Sequence, residues 1–150
     1  MKSKIFFSLA LLLSFSFLSC STTSFFKKQI TINDILAAKD KIDNSKNPAE
    51  VLLLKKSLSE KLLIIQDITV KDIINSTNVY YDFCILADIQ SAKGTIECYI
   101  YTKNTRRISL LKKGQSVITV KGEFQRYYSM LDNYYTKIEI TNSEITINKE

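Results

Sequence analysis

The chain has no histidine among its 150 residues. That absence removes the imidazole base and any His-bearing metal site. No P-loop, dinucleotide fingerprint or serine-elbow motif occurs either. The acids Asp82, Asp88, Glu97 and Glu123 are scattered along the chain, as solvated or turn residues are. The expectation is a protein that is not an enzyme and uses neither cofactor nor metal. A large charge excess is missing too. The formal charge is +6, of which Lys2 and Lys4 supply two. Residues 27–61 carry eight lysines against five acids, whereas residues 62–150 carry eleven Lys and Arg against ten acids. The near-neutral second part is a poor match to a general nucleic-acid binder, whose affinity comes from basic side chains on phosphates. Apolar residues make up 45% of the chain, enough for one ordinary core, and the length suits one domain.

Residues 1–20 have the parts of a secretory leader: Lys2 and Lys4, an apolar run from Ile5 to Leu18, then small residues. The run rises about 21 Å as a helix, short of a bilayer core of about 30 Å. It ends in Phe17-Leu18-Ser19-Cys20, which resembles the lipobox of bacterial lipoproteins, in the relaxed form that spirochaetal lipoproteins use. The resemblance implies acylation of Cys20 as the mature N-terminus and a cell-envelope address. Ser21 after the cysteine leans toward the outer membrane. Residues 21–30 then read as a tether.

Residues 31–61 read as a helical lead-in. Thr31 with Asp34 three residues on is a helix start, and Ile32, Ile35, Leu36 and Ile42 follow at helical spacing. Residues 44–48 break the pattern. Asn47 is then an N-cap, Pro48 fits the first helical position and Glu50 would complete a capping box. Val51, Leu54, Leu58 and Leu62 form the apolar stripe of the second helix.

Residues 62–150 read as five strands. Leu62, Ile64, Ile68, Val70 and Ile74 alternate with Asp67, Thr69 and Lys71 in the first. A turn at 75–78 leads to a second strand at 79–88, and 90–94 to a third at 95–102. A short basic helix capped by Asn104 extends to Lys113 and stops at Gly114. Strands at 116–128 and 134–147 follow. This is a mainly β chain with a helical lead-in, and its order fits a five-stranded OB-fold barrel with one helix between strands three and four. Residues 94–124 resemble the tRNA_anti-like group of OB-fold domains, several of which occur in secreted lipoproteins. The resemblance is carried by Glu97-Cys98-Tyr99, by Leu110-Leu111-Lys112-Lys113-Gly114-Gln115 and by Val117-Ile118-Thr119-Val120-Lys121-Gly122. It implies a binding fold and names no ligand.

Two aromatic groups are candidate contact surfaces. With the hairpin between strands two and three centred on Ser91, Tyr81, Phe83, Ile85, Glu97, Tyr99 and Tyr101 share the outer face. Cys84, Leu86, Ile96, Cys98 and Ile100 share the inner one. OB-folds bind oligonucleotides or oligosaccharides on that outer face, where rings stack on bases or sugars. The opposite reading has the lead-in packed over these rings as core. The second group is Tyr127-Tyr128 and Tyr134-Tyr135, symmetric about Leu131 and able to meet across the next hairpin. The basic patch Lys103, Arg106, Arg107, Lys112 and Lys113 sits on the helix that plugs the barrel through Ile108 and Leu111. Its readings are a solvated helix, contact with anionic lipid headgroups, and nucleic acid, in that order. The same hairpin register puts Cys84 opposite Cys98, as a disulfide or as two buried free thiols. The partners that follow are a membrane through the N-terminal lipid and a protein or glycan ligand, with nucleic acid less favoured.

Overall fold

The long apolar strand that opens the second part shows how the chain closes on itself. In the computed structural model, which describes residues 27–92, 94–130 and 135–149, this strand is β2 (Leu62–Asn75). Its first half pairs antiparallel with β5 (Val117–Met130) and its second half with β3 (Phe83–Ser91). β3 continues antiparallel to β4 (Gly94–Tyr101), β4 runs parallel to β6 (Tyr135–Lys149), and β6 pairs antiparallel with β5. The ring β2–β3–β4–β6–β5–β2 is therefore a closed five-stranded, OB-fold-like barrel. A two-residue strand, β1 (Gln29–Ile30), adds in parallel to the start of β2. The expected tether therefore ends in a strand. The leader, Cys20 and the residues up to 26 lie outside the described residues.

Thr31 caps α1 (Ile32–Asn44) through a reciprocal pair with Asp34: the Asp34 amide donates to Oγ1 at 3.2 Å and the Thr31 amide donates to Oδ2 at 2.8 Å. Asn47 Oδ1 accepts from the Ala49 amide at the head of α2 (Pro48–Leu58). The expected box through Glu50 does not form, because its carboxylate accepts from Ser45 Oγ at 2.7 Å instead. Ile35 and Leu58 of this hairpin join one continuous core with Leu63, Val70, Ile85, Ile100, Ile118, Val120, Phe124 and Ile140. The hairpin stops one end of the barrel, and buried Ile108 and Leu111 stop the other.

Several expectations shift. The alternation in β2 changes phase at Gln66–Asp67, where Asp67 takes φ 51° and the β5 register slips. Leu63 and Ile65 are buried instead of Leu62 and Ile64, with Ile68 and Val70 inside beyond the bulge. β2 runs to Asn75 and β3 starts only at Phe83, so Val79, Tyr80 and Tyr81 belong to a loop. The Ser76 amide holds that loop by donating to the Asp82 carbonyl at 2.9 Å. The basic helix shrinks to one turn, α3 (Thr105–Ile108). Beyond it the chain is tied to the barrel, with the Gly114 amide on the Val70 carbonyl at 2.7 Å and the Lys112 amide on Ser116 Oγ at 2.8 Å.

Both hairpins are offset in register by three residues from the expected pairing. The β3–β4 ladder runs to Ser91↔Gly94, with Gly94 at φ 108°, so Cys84 opposes Tyr101 and Cys98 opposes Ala87. An odd shift turns one strand over relative to the other. Ile85 and Phe83 thus point to the core side, and Cys84 and Leu86 to the outer side. The Cys84–Cys98 disulfide is excluded. The two lie on opposite faces of the sheet, three residues out of register or about 10 Å along the strand, and both thiols are free and buried. In the β5–β6 hairpin Tyr127 opposes Ile138 and Tyr128 opposes Lys137, so neither has a tyrosine as its ladder partner. Tyr134 lies outside the described residues, and Tyr135 enters through its ladder pairing with Met130.

Candidate functional site

The corrected register builds a four-strand outer face. One row across it reads Leu86, Tyr99, Glu139, Arg126, and the next reads Asp88, Glu97, Lys137, Tyr128. Lys71, at the bulge where β2 meets β3, reaches the edge of the second row. The charges interlock. Lys71 Nζ lies 2.8 Å from Asp88 and 3.6 Å from Glu97, and Lys137 Nζ lies 3.4 Å from Glu97. Arg126 Nε donates to Glu139 Oε2 at 2.8 Å. Three cations thus face three carboxylates, and each carboxylate has a partner.

Two tyrosines are woven into this lattice. Lys137 Nζ donates to Tyr99 Oη at 2.6 Å, and Tyr99 donates on to Glu97 Oε2 at 3.2 Å. The Tyr99 bond, more than the neighbouring carboxylate, raises the pKa of Lys137. Tyr128 donates to Glu139 at 3.3 Å, and the Arg126 guanidinium lies 4.8 Å from its ring centre. Glu139 likewise raises the pKa of Arg126, through the hydrogen bond first. Surface ion pairs of this kind contribute about 0–1 kcal/mol each, so their effect is to fix side chains in place rather than to stabilise the fold.

Above these rows the loop 76–82 folds over the sheet. Tyr81 and Tyr101 meet with ring centres 5.4 Å apart, tilted by 39°. Tyr81 Oη donates to Asn142 Oδ1 at 2.9 Å and accepts from the Asn142 amide at 3.1 Å. Asn142 has φ 48°, a left-handed conformation that Asn tolerates better than most residues. Beneath the loop, Cys84 and Tyr101 are 1% and 3% exposed. Burial pushes the Cys84 thiol up to about 11 and the Cys98 thiol up to about 12. Both therefore stay protonated near neutral pH and are weak nucleophiles.

Between the loop and strands β5 and β6 lies a cleft of about 480 Å³. Tyr80, Tyr81, Lys103, Arg126, Glu139 and Asn142 are among its walls. Thr141 also lines it, 5% exposed, with a hydroxyl that has no hydrogen-bond partner within the protein. The cleft offers donors and acceptors of both signs beside a 78% exposed tyrosine, Tyr80.

The sequence-derived site residues are divided by this arrangement. Tyr99 and Tyr128 stand on the outer face, and Tyr81 and Tyr101 pack on each other at its upper edge. Phe83 and Tyr127 pack against the core. Of the basic set, Lys103 borders the cleft, while Arg106, Arg107 and Lys112 are exposed at the barrel base and Lys113 pairs with Asp72 at 2.8 Å. Arg126, Lys137, Glu139 and Asn142 were not singled out from sequence. The strand alternation Lys137-Ile138-Glu139-Ile140 carried the signal for two of them. No protein-family model matches the chain, and no curated protein sequence matches it, so no activity or ligand comes to it from a relative.

Proposed function

We propose that this chain is a lipid-anchored cell-envelope protein whose barrel acts as a non-catalytic binding module. The strand pairing, with β4 and β6 parallel and a turn of helix between β4 and β5, supports the full OB-fold reading and kinship with the tRNA_anti-like group. The ligand face is the outer surface of β3, β4, β6 and β5 together with the cleft under the loop 76–82. The observation that carries this is the charge balance of that face. A phosphate chain would need a row of unpaired cations, but Lys71, Lys137 and Arg126 are each already held by a carboxylate, and the cleft wall adds one lysine, Lys103. The exposed arginines of α3 follow the cleft residue Lys103 by three and four positions but do not line the cleft themselves. An uncharged, hydrogen-bonding ligand such as an oligosaccharide fits better, with Tyr99, Tyr128 and Tyr80 as the stacking rings.

The test compares two probes by titration: an oligomer of N-acetylated hexosamine and an oligothymidylate, each at low and high salt. Binding of the sugar, little changed by salt and weakened roughly fivefold or more by Tyr99→Ala, is expected. Tight oligothymidylate binding that falls steeply with salt would overturn the charge argument. The second reading, a protein ligand, is favoured by Val79 and Tyr80, exposed at 91% and 78% on the loop tip.

A further inference from the structure

The helical hairpin has an apolar face that its own packing does not use. Leu58 is buried and Val51 and Leu54 are half-buried, so this side of α2 turns inward. Leu52 and Leu53 are 54% and 67% exposed. At 3.6 residues per turn, Ala49, Leu52, Leu53 and Lys56 share the side opposite Val51, Leu54 and Leu58, with Lys55 at one margin and Glu50, which accepts from Ser45 Oγ, at the other. All six are exposed.

Single exposed leucines are ordinary, but the position of this pair is not. The chain enters the domain beside α2. Lys27 Nζ is fixed to Glu123 at 2.6 Å, and the Leu62 amide donates to the Lys28 carbonyl at 3.1 Å. One groove is lined by Lys28, Leu54, Ser57 and Lys61 together, which puts the C-terminal half of α2 next to that entry. Six residues lie between Cys20 and Lys27, so the two are at most about 25 Å apart along an extended chain. A barrel held by a lipid on Cys20 therefore keeps this end close to the bilayer. The charge bias agrees: the excess of lysine lies in residues 27–61, while the barrel is near neutral. No described helix is long and apolar enough to cross a membrane, so contact at this end is with the surface.

We propose that the outer face of α2 docks on an anionic bilayer surface. Leu52 and Leu53 enter the headgroup boundary, and Lys55 and Lys56 face the lipid phosphates. A helix that pairs apolar residues with lysine binds such an interface through buried area plus attraction to anionic lipid. The inference rests on the reading of Cys20 as the acyl anchor, and it leaves the ligand face free at a different part of the barrel.

The chain contains no tryptophan, so Leu53→Trp supplies a single reporter. The probe is the unacylated chain from Ser21 onward, which keeps every described residue, mixed with vesicles of phosphatidylcholine alone or with phosphatidylglycerol added. A blue shift of the tryptophan emission with the anionic vesicles is expected, reversed by salt. Replacing Lys55 and Lys56 with Gln in that background should weaken the partition about 30-fold, on the usual worth of a lysine near such a surface. Leu52→Ser with Leu53→Ser should abolish co-sedimentation. Val79→Trp, on the far loop, should show no shift. Unchanged Leu53→Trp emission, an equal shift from Val79→Trp, or a shift that follows protein concentration without vesicles would overturn the proposal. Because this chain carries no acyl group, the result is independent of the anchor. The anchor is read separately, from detergent partition of the full chain with and without Cys20→Ala.

Discussion

Gly122 sits where β5 runs close against β6. A Cβ placed there would lie 2.5 Å from Ser143 Oγ, 2.6 Å from the Ile140 side chain and 2.9 Å from the Thr141 carbonyl. The carbonyl belongs to the paired strand and cannot rotate away, so Gly122→Ala must push β5 from β6. We expect a loss of about 1–3 kcal/mol with the fold retained, read as a lower urea midpoint at unchanged slope. A neutral result would mean that the two strands are free to separate locally. The buried thiols give a second prediction at this scale. Cys84 and Cys98 are raised by burial to about 11 and about 12, from an ordinary value of 9.0. An acid raised in the folded state keeps its proton there while the unfolded chain gives it up. Its contribution is therefore complete below the unfolded value and is lost as pH climbs toward the folded one. Stability should fall between about pH 9 and pH 12, each thiol adding at most about 1.4 kcal/mol per pH unit. Cys98→Ala should make that decline shallower, and an identical slope in the variant would remove the thiol from the account. Counting thiols on unfolded protein should return the same number with and without reductant.

At the scale of elements, what could be read from sequence was the alternation within a strand, and what could not was the phase between strands. Ile96, Cys98 and Ile100 stand inside as their own alternation requires. Their partner strand came out reversed because alternation does not say where a turn closes. A hairpin reaching Ser91↔Gly94 differs from one centred on Ser91 by an odd number of residues, and that parity moves Phe83 inward and Cys84 outward. The bulge at Asp67 is invisible for the same reason: one extra residue leaves the composition of β2 untouched while exchanging its faces. The candidate site suffered most, because it spans four strands and needs three registers at once. Arg126 and Glu139 face each other because the β5–β6 ladder runs unbroken from Met130↔Tyr135, a register offset by three residues from the expected one. The loop 76–82 supplies the prediction here. Tyr81 binds Asn142 through two hydrogen bonds from a position 61 residues away in the chain. Tyr81→Phe keeps the ring contact with Tyr101 and removes both bonds. We expect faster amide exchange across residues 76–82, with a stability loss of about 0.5–1.5 kcal/mol per bond removed. Unaltered exchange would mean that the ring contact alone holds the loop.

For the whole molecule, the helical lead-in packs on the barrel and shares its core. Ile35 is 1% exposed and Leu58 is 4% exposed, and both belong to the cluster that contains Leu63, Phe124 and Ile138. The barrel end is open without them, because its only other stop among the described residues, Ile108 and Leu111, lies at the opposite end. β1 strengthens the join by hydrogen bonding the hairpin's entry strand to β2. A part that completes the core of another part cannot melt ahead of it without exposing that core. The protein should therefore unfold in one transition, with the calorimetric and van't Hoff enthalpies equal. Ile35→Ala tests the coupling from the hairpin side. It should lower stability by about 2–5 kcal/mol. The loss should appear equally in helical circular dichroism and in the near-ultraviolet signal of the barrel tyrosines. If the helical signal instead fell at lower denaturant while the tyrosine signal kept its midpoint, the hairpin would be an independent unit resting against a barrel that is closed without it.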